Sequence, residues 1–139
     1  MINFNYECNF NLADENSISE WLTNVLISEG KSEGEINYIF CDDDYLHKLN
    51  VEYLDHDTLT DVISFDYTMG NEISGDCFIS VERVADNAND FNVSFDEELK
   101  RVIVHGLLHY CGYKDKGEKE VALMRSKEDE KLAMFHVKQ

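Results

Sequence analysis

The chain has 139 residues, enough for one ordinary domain with a real core. No run of about 18 apolar residues occurs, which excludes a membrane-spanning helix, and the start MINFNYECNF lacks the basic-then-apolar character of a signal peptide. A net charge of −17, from 12 basic against 29 acidic residues, argues against sequence-blind nucleic-acid binding through overall charge. A local basic patch or a bound divalent cation would still attract phosphate.

Ile2, Phe4, Tyr6, Cys8 and Phe10 alternate with polar residues, the period-two pattern of a half-buried strand over 2–10. Ser17, with Glu20 three residues on, predicts a capping box, and Ile18, Trp21, Leu22, Val25 and Leu26 give the stripe of a helix ending at Gly30. KSEGE reads as a turn, and Glu35–Cys41 as a second strand. Asp42, Asp43 and Asp44 have no EF-hand spacing; they suit the first turn of a short helix, Asp43 to Asn50, packed by Tyr45, Leu46 and Leu49. Residues 51–61 read as a loop leading into a strand from Val62 to Asp66. A hairpin-like connection then leads to a strand from Gly75 to Ser80, and Val81, Val84, Ala85 and Ala88 predict a helix towards Asp90. A last helix, Glu118 to Phe135, would bury Val121, Met124, Leu132 and Phe135, with the final HVKQ frayed. The order strand, helix, strand, helix, strand, strand, helix, helix, helix predicts one α+β domain over 1–139, with a small mixed β-sheet of about four strands. Cys8, Cys41, Cys77 and Cys111 form no CxxC pair, so buried reduced thiols and a cytoplasmic location are expected.

The stretch from Phe95 to Asp115 carries the chemistry. Leu99, Val102, Ile103 and Leu107 recur at helical spacing, and His105 and His109, four apart, stack on one face of that central helix. Gly112 falls where a residue with φ > 0 would end the helix, and Asp115 follows within reach: H-x-x-x-H-x-x-G-x-x-D. Both imidazoles lie in the apolar run VIVHGLLHYCG, where a polar ring needs a partner, so His105, His109 and Asp115 are the expected metal ligands and catalytic set. The zinc-protease pattern H-E-x-x-H-x-x-G-x-x-H differs at two places, Gly106 for the general-base glutamate and Asp115 for the third histidine. Peptide hydrolysis also needs a proton carrier for a poor leaving group, so a peptidase is disfavoured. Phosphodiester hydrolysis fits better, because a metal both supplies hydroxide and neutralises phosphoryl oxygens.

From His105 to Asp115 the chain reads H-G-L-L-H-Y-C-G-Y-K-D, which resembles the H-G-x-L-H-x-x-G-Y-D-H pattern of the YbeY-type endoribonucleases of ribosomal RNA maturation. Thr60-Asp61-Val62-Ile63-Ser64-Phe65 resembles that family's T-[DN]-V-L-S-F strand, Gly75-Asp76 its G-D-I strand start, and Glu120, Met124 and Glu128 its last helix. The resemblance maps three zinc-binding histidines onto His105, His109 and Asp115, so the third ligand has changed type. It also puts Leu54 where the family usually has an arginine, leaving Lys114 and Lys116 as stand-in cations. Asp61, Ser64 and Asp76 become candidate groups behind the ligands or beside the substrate. Two histidines and a carboxylate still suit one Zn²⁺ per chain, while making another divalent transition metal acceptable.

The resemblance implies a metal-dependent endoribonuclease acting on ribosomal RNA, with a ribosomal subunit or its proteins as partners and no DNA or membrane. The alternative from a different class is a ribosome-associated RNA- or protein-binding factor with a structural metal and little catalysis.

Overall fold

The computed structural model describes residues 1–54 and 60–137, the side chains of Leu54, His136 and Val137 lying outside that description. The strand alternation at the N-terminus holds only over β1 (Ile2–Tyr6). Beyond it the chain turns, with the Phe10 N–H donating to the Cys8 carbonyl (2.9 Å). The turn folds Phe10 onto Phe40 and Phe95, at 5.4 and 5.9 Å between ring centroids, so its apolar side chain is satisfied outside a strand. Helix α1 (Glu15–Ser28) starts two residues before the predicted Ser17 cap. The Tyr6 hydroxyl draws in that first turn by donating to Glu15 and accepting the Leu12 N–H.

Strand β2 (Ser32–Cys41) includes most of the predicted KSEGE turn. Ser32 and Glu33 pair with Glu72 and Ile73, which also moves the start of β4 (Glu72–Ser80) ahead of Gly75. Helix α2 (Asp43–Leu54) runs one turn past Asn50, bringing Tyr53 edge-on to Phe65. The rest of the predicted 51–61 loop, 55–59, lies outside the described residues. The triple aspartate is local structure: Asp42 accepts the Tyr45 N–H, and Asp43 pairs with Arg83. Strand β3 (Val62–Asp66), helices α3 (Val81–Phe91), α4 (Phe95–Tyr110) and α5 (Glu118–Val137) complete the chain. The predicted fraying of HVKQ holds for neither His136 nor Val137, whose backbone is helical; Lys138 and Gln139 lie outside the described residues.

The sheet order is β1-β2-β4-β3, with β1, β2 and β4 parallel and β3 antiparallel to β4. This is a single α+β domain with a mixed four-stranded sheet, as the order of elements predicted. One face of the sheet, through Ile36, Tyr38, Phe40, Ile73, Cys77 and Ile79, meets α1, α4 and α5 in the main core. On the other, among the described residues, α2 packs its Leu46 with Cys41 and Ile63. Helix α4 is therefore buried on most sides, and only a narrow strip of it is left to face solvent. Helix α5 docks on α1 through Trp21, whose indole N–H donates to the Lys131 carbonyl (2.7 Å) while its ring meets Phe135 edge-on. Met124, Leu132 and Phe135 are buried as predicted, but Val121 is half exposed, in the first turn of α5.

Candidate functional site

Helix α4 begins with Ser94, whose hydroxyl accepts the Glu97 N–H (3.1 Å), and with three acids in its first turn that complement the helix dipole. It ends in a Schellman arrangement, with Tyr113 N–H to the Leu108 carbonyl (3.1 Å), Gly112 N–H to the His109 carbonyl (3.0 Å), and Gly112 at φ 109°. The predicted reversal at Gly112 is thus the device that swings Asp115 back over the helix. At Gly106 an added Cβ would lie 2.8 Å from the Cys77 sulfur. A side chain at 106 would run into β4 rather than towards solvent, which leaves no room there for a protease-type general base.

His105 Nε2, His109 Nε2 and Asp115 Oδ2 form a triangle with edges of 3.1, 3.3 and 3.4 Å. A tetrahedral ion with bonds of about 2.0–2.1 Å imposes edges of about 3.3 Å on its ligand atoms. Two imidazole nitrogens and a carboxylate oxygen also make a sound donor set for zinc or a neighbouring divalent transition metal. Among the described residues this is the one group of three or more such side chains that could hold a metal ion.

Behind the triangle, His105 Nδ1 lies 2.6 Å from Glu128 Oε2; against an ionised carboxylate Nδ1 is the donor, and in the neutral ring Nε2 then keeps its lone pair for the side of the other two atoms. Burial would lower the pKa of His105, but the hydrogen bond and charge of Glu128, with Asp115 and Asp61, raise it above the ordinary imidazole value. Burial likewise pushes the Glu128 carboxyl up, and His105 and Arg101 together hold it below the usual carboxylate range. Arg101 clamps Glu128 (3.0 Å) and Asp129 (2.8 Å) at once. Asp61, Val62, Glu98, Arg101, Val102, His105, Asp115, Arg125 and Glu128 line one cleft of about 270 Å³.

A sequence model of the family described as Endoribonuclease YbeY matches residues 3–136. The chain belongs to the YbeY family. A curated YbeY endoribonuclease of Flavobacterium johnsoniae is 73% identical over 139 residues, covering all of both chains. One from Christiangramia forsetii is 59% identical over 138 residues, covering 99% of this chain and 96% of the other. The solution structure of TM1509 from Thermotoga maritima superposes with a TM-score of 0.72 at 28% identity, covering 97% of this chain and 89% of that one.

Set beside the YbeY pattern, the predicted ligands converge, while the remaining candidates disperse. Asp61 lines the cleft and accepts from the Asn87 amide (3.3 Å). Asp76 is tied down inside the sheet by the Asn37 amide (2.9 Å), and its carbonyl accepts from the Tyr110 hydroxyl. Ser64 is an exposed strand residue beside Tyr110. Neither Asp76 nor Ser64 lines the cleft, and neither do Lys114 and Lys116, the predicted stand-in cations. The cleft draws its cations instead from Arg101 on α4 and Arg125 on α5. Spacing gave one usable signal for Arg101, one turn before His105 on the same helix face, and none for Arg125. Of the four cysteines only Cys41 and Cys77 are fully buried, whereas Cys8 and Cys111 are partly exposed. All four are free, and burial pushes Cys41 to about 12 and Cys111 to about 11, away from reactive thiolate.

Proposed function

We propose that this chain is a metal-dependent endoribonuclease of ribosomal RNA maturation, with one divalent transition metal, in the first instance Zn²⁺, on His105, His109 and Asp115. The observation that carries the reading is the triangle of three ligand atoms at tetrahedral spacing, opening onto a cleft that also holds two arginines. When bound, the ion supplies water activation and positive charge for a phosphodiester. The residues of the chain provide the rest. Glu128 keeps the His105 proton on Nδ1, so the nitrogen facing the cleft stays free to ligate. Arg101 fixes Glu128 in turn, and the Gly112 reversal brings in Asp115. The cleft is a pocket rather than a groove-filling helix or ribbon, which suits a flexible single-stranded stretch of RNA.

In this reading the partners are ribosomal RNA and a ribosomal subunit or its proteins, and the setting is the cytoplasm. No helix among the described residues is long and apolar enough to cross a membrane.

Metal content by mass spectrometry tests the ligand set on untagged protein, with His109→Ala and Asp115→Ala alongside. About one transition metal per chain is expected, sharply reduced in both variants, with RNA cleavage lost in His105→Ala. Metal retained by Asp115→Ala would move the third ligand elsewhere. Undiminished RNA cleavage by His105→Ala would sink the nuclease mechanism, and a metal-bearing protein inert towards RNA would favour the binding factor.

A further inference from the structure

The cleft holds four carboxylates, Asp61, Glu98, Asp115 and Glu128, against two guanidinium groups. A divalent ion on the triangle brings that balance to zero, in a chain whose overall net charge is −17. The cleft is therefore a place on this acidic surface where a phosphodiester meets no net repulsion, and its affinity depends on which cation has donors to spare.

The two arginines differ in that respect. Arg101 is 18% exposed and has Nη1 on Glu128 and Nη2 on Asp129. Arg125 is 54% exposed, and among the described residues its ion pair is one 3.6 Å contact from Nη1 to Glu128 Oε1, beyond hydrogen-bond range. Among the described residues no hydrogen bond engages its guanidinium, which lines the cleft wall. Several other cations are committed elsewhere: Arg83 to Asp43 and Asp86, Lys127 and Lys131 to Glu29, and Lys100 to Asp96. Arg125 also sits one turn before Glu128, whose second oxygen holds His105. A guanidinium there faces the same space as the triangle and has the planar fork that matches two phosphoryl oxygens.

We propose that Arg125 is the residue of this cleft that grips the RNA backbone, donating to non-bridging phosphate oxygens while Arg101 stays committed to Glu128 and Asp129. This rests on the nuclease reading above and assigns its substrate contact.

The test uses metal-loaded protein and a short fluorescein-labelled single-stranded RNA, with binding read by anisotropy and RNA integrity checked on a gel. Arg125→Ala should weaken binding about tenfold, as expected for losing hydrogen bonds between charged groups. The slope of log affinity against log salt should fall by about 0.7, one phosphate contact on a single strand. The loss should be uniform across RNA sequences. Arg125→Lys should restore the salt slope but only part of the affinity, and in cleavage assays KM should rise more than kcat falls. Arg83→Ala, on α3, should change nothing. Unchanged affinity and slope in Arg125→Ala, with wild-type protein binding and cleaving RNA, would overturn the proposal and leave the nuclease reading intact. Loss of metal from Arg125→Ala would also overturn it, making the residue a support for Glu128. Wild-type protein that neither binds nor cleaves RNA would remove the nuclease reading and this contact together.

Discussion

Two polar clusters lie on either flank of helix α5, and they are built on opposite principles. On one flank, Glu29 accepts from Lys131 (2.8 Å) and the Tyr113 hydroxyl (2.7 Å), with Lys127 at 3.4 Å; Lys131 also donates to Ser28 (2.9 Å). Donors face acceptors, cations face anions, and Lys131 is only 1% exposed. On the other flank, His105, His109 and Asp115 turn three ligand atoms towards one another at 3.1–3.4 Å. The first cluster is complete in itself and closed. The second gathers three atoms of metal-ligating type at one point, and it lies on an open cleft. Both hold the same segment: Tyr113 and Asp115 are two residues apart, so the closed cluster anchors the loop that delivers Asp115.

The largest effect should come from breaking the closed cluster. Lys131→Met leaves Glu29, 11% exposed, with fewer partners and should cost about 3 kcal/mol, the low end of the scale for removing one member of a buried ion pair. Urea unfolding would show it as a lower midpoint at unchanged slope. Glu128→Gln keeps the packing but weakens the support of His105. Metal affinity should fall about 10–100-fold, measured by competition with a chelating dye. A melting temperature that collapsed in that variant would instead put Glu128 in the structural class with Lys131.

Glu29 of the closed cluster and Glu98 of the open cleft are shifted in opposite directions. Burial pushes the Glu29 carboxyl up, but Lys131, Tyr113 and Lys127 outweigh it and hold it below the usual range. Its stabilising effect is therefore fully present above the unfolded value near pH 4.5 and is lost as pH falls through the folded value. The stability gap between wild type and Glu29→Gln should close on acidification. Glu98, 5% exposed in the open cleft, is raised by burial and by Asp61 and Glu128, against Arg101 and Arg125. Here the sign reverses: the protonated form is favoured in the fold, and stability is lost as pH rises through the folded value. Glu98→Gln should raise the melting temperature modestly at neutral pH, with the gain vanishing in acid. If both variants moved in parallel with pH, the contrast between the clusters would fail.

How far the sequence disclosed this arrangement depended on the range of the interaction. The pairing of His105 with His109 and the reversal at Gly112 are local, set by helical spacing and one backbone conformation, and both were legible. The order of elements was legible for the same reason. The start of β2 was not, because Ser32 and Glu33 become strand only by pairing with Glu72 and Ile73, about forty residues on. Glu128 stood out only as part of a family pattern, since nothing in its own neighbourhood says that it meets a ring 23 residues earlier. Arg125 gave no signal at all, being one arginine among the charges of an exposed helix face. Val121 misled in the opposite direction: it keeps helical spacing with Met124, yet the first turn of α5 leaves it half exposed.

The approach of α4 to β4 at Gly106, where a single methyl group would collide with Cys77, has a consequence for how this site can vary. The helix is seated on the sheet like a key in a slot, and the seat fixes the roll of the helix about its own axis. That roll aims both imidazoles. Enlarging residue 106 would leave every ligand in place on paper and still spoil the triangle, by turning the shaft that carries two of its corners. The loop that brings in Asp115 is held separately, by Gly112 and Tyr113 outside that seat, and the third corner is the one where this chain carries a carboxylate rather than an imidazole.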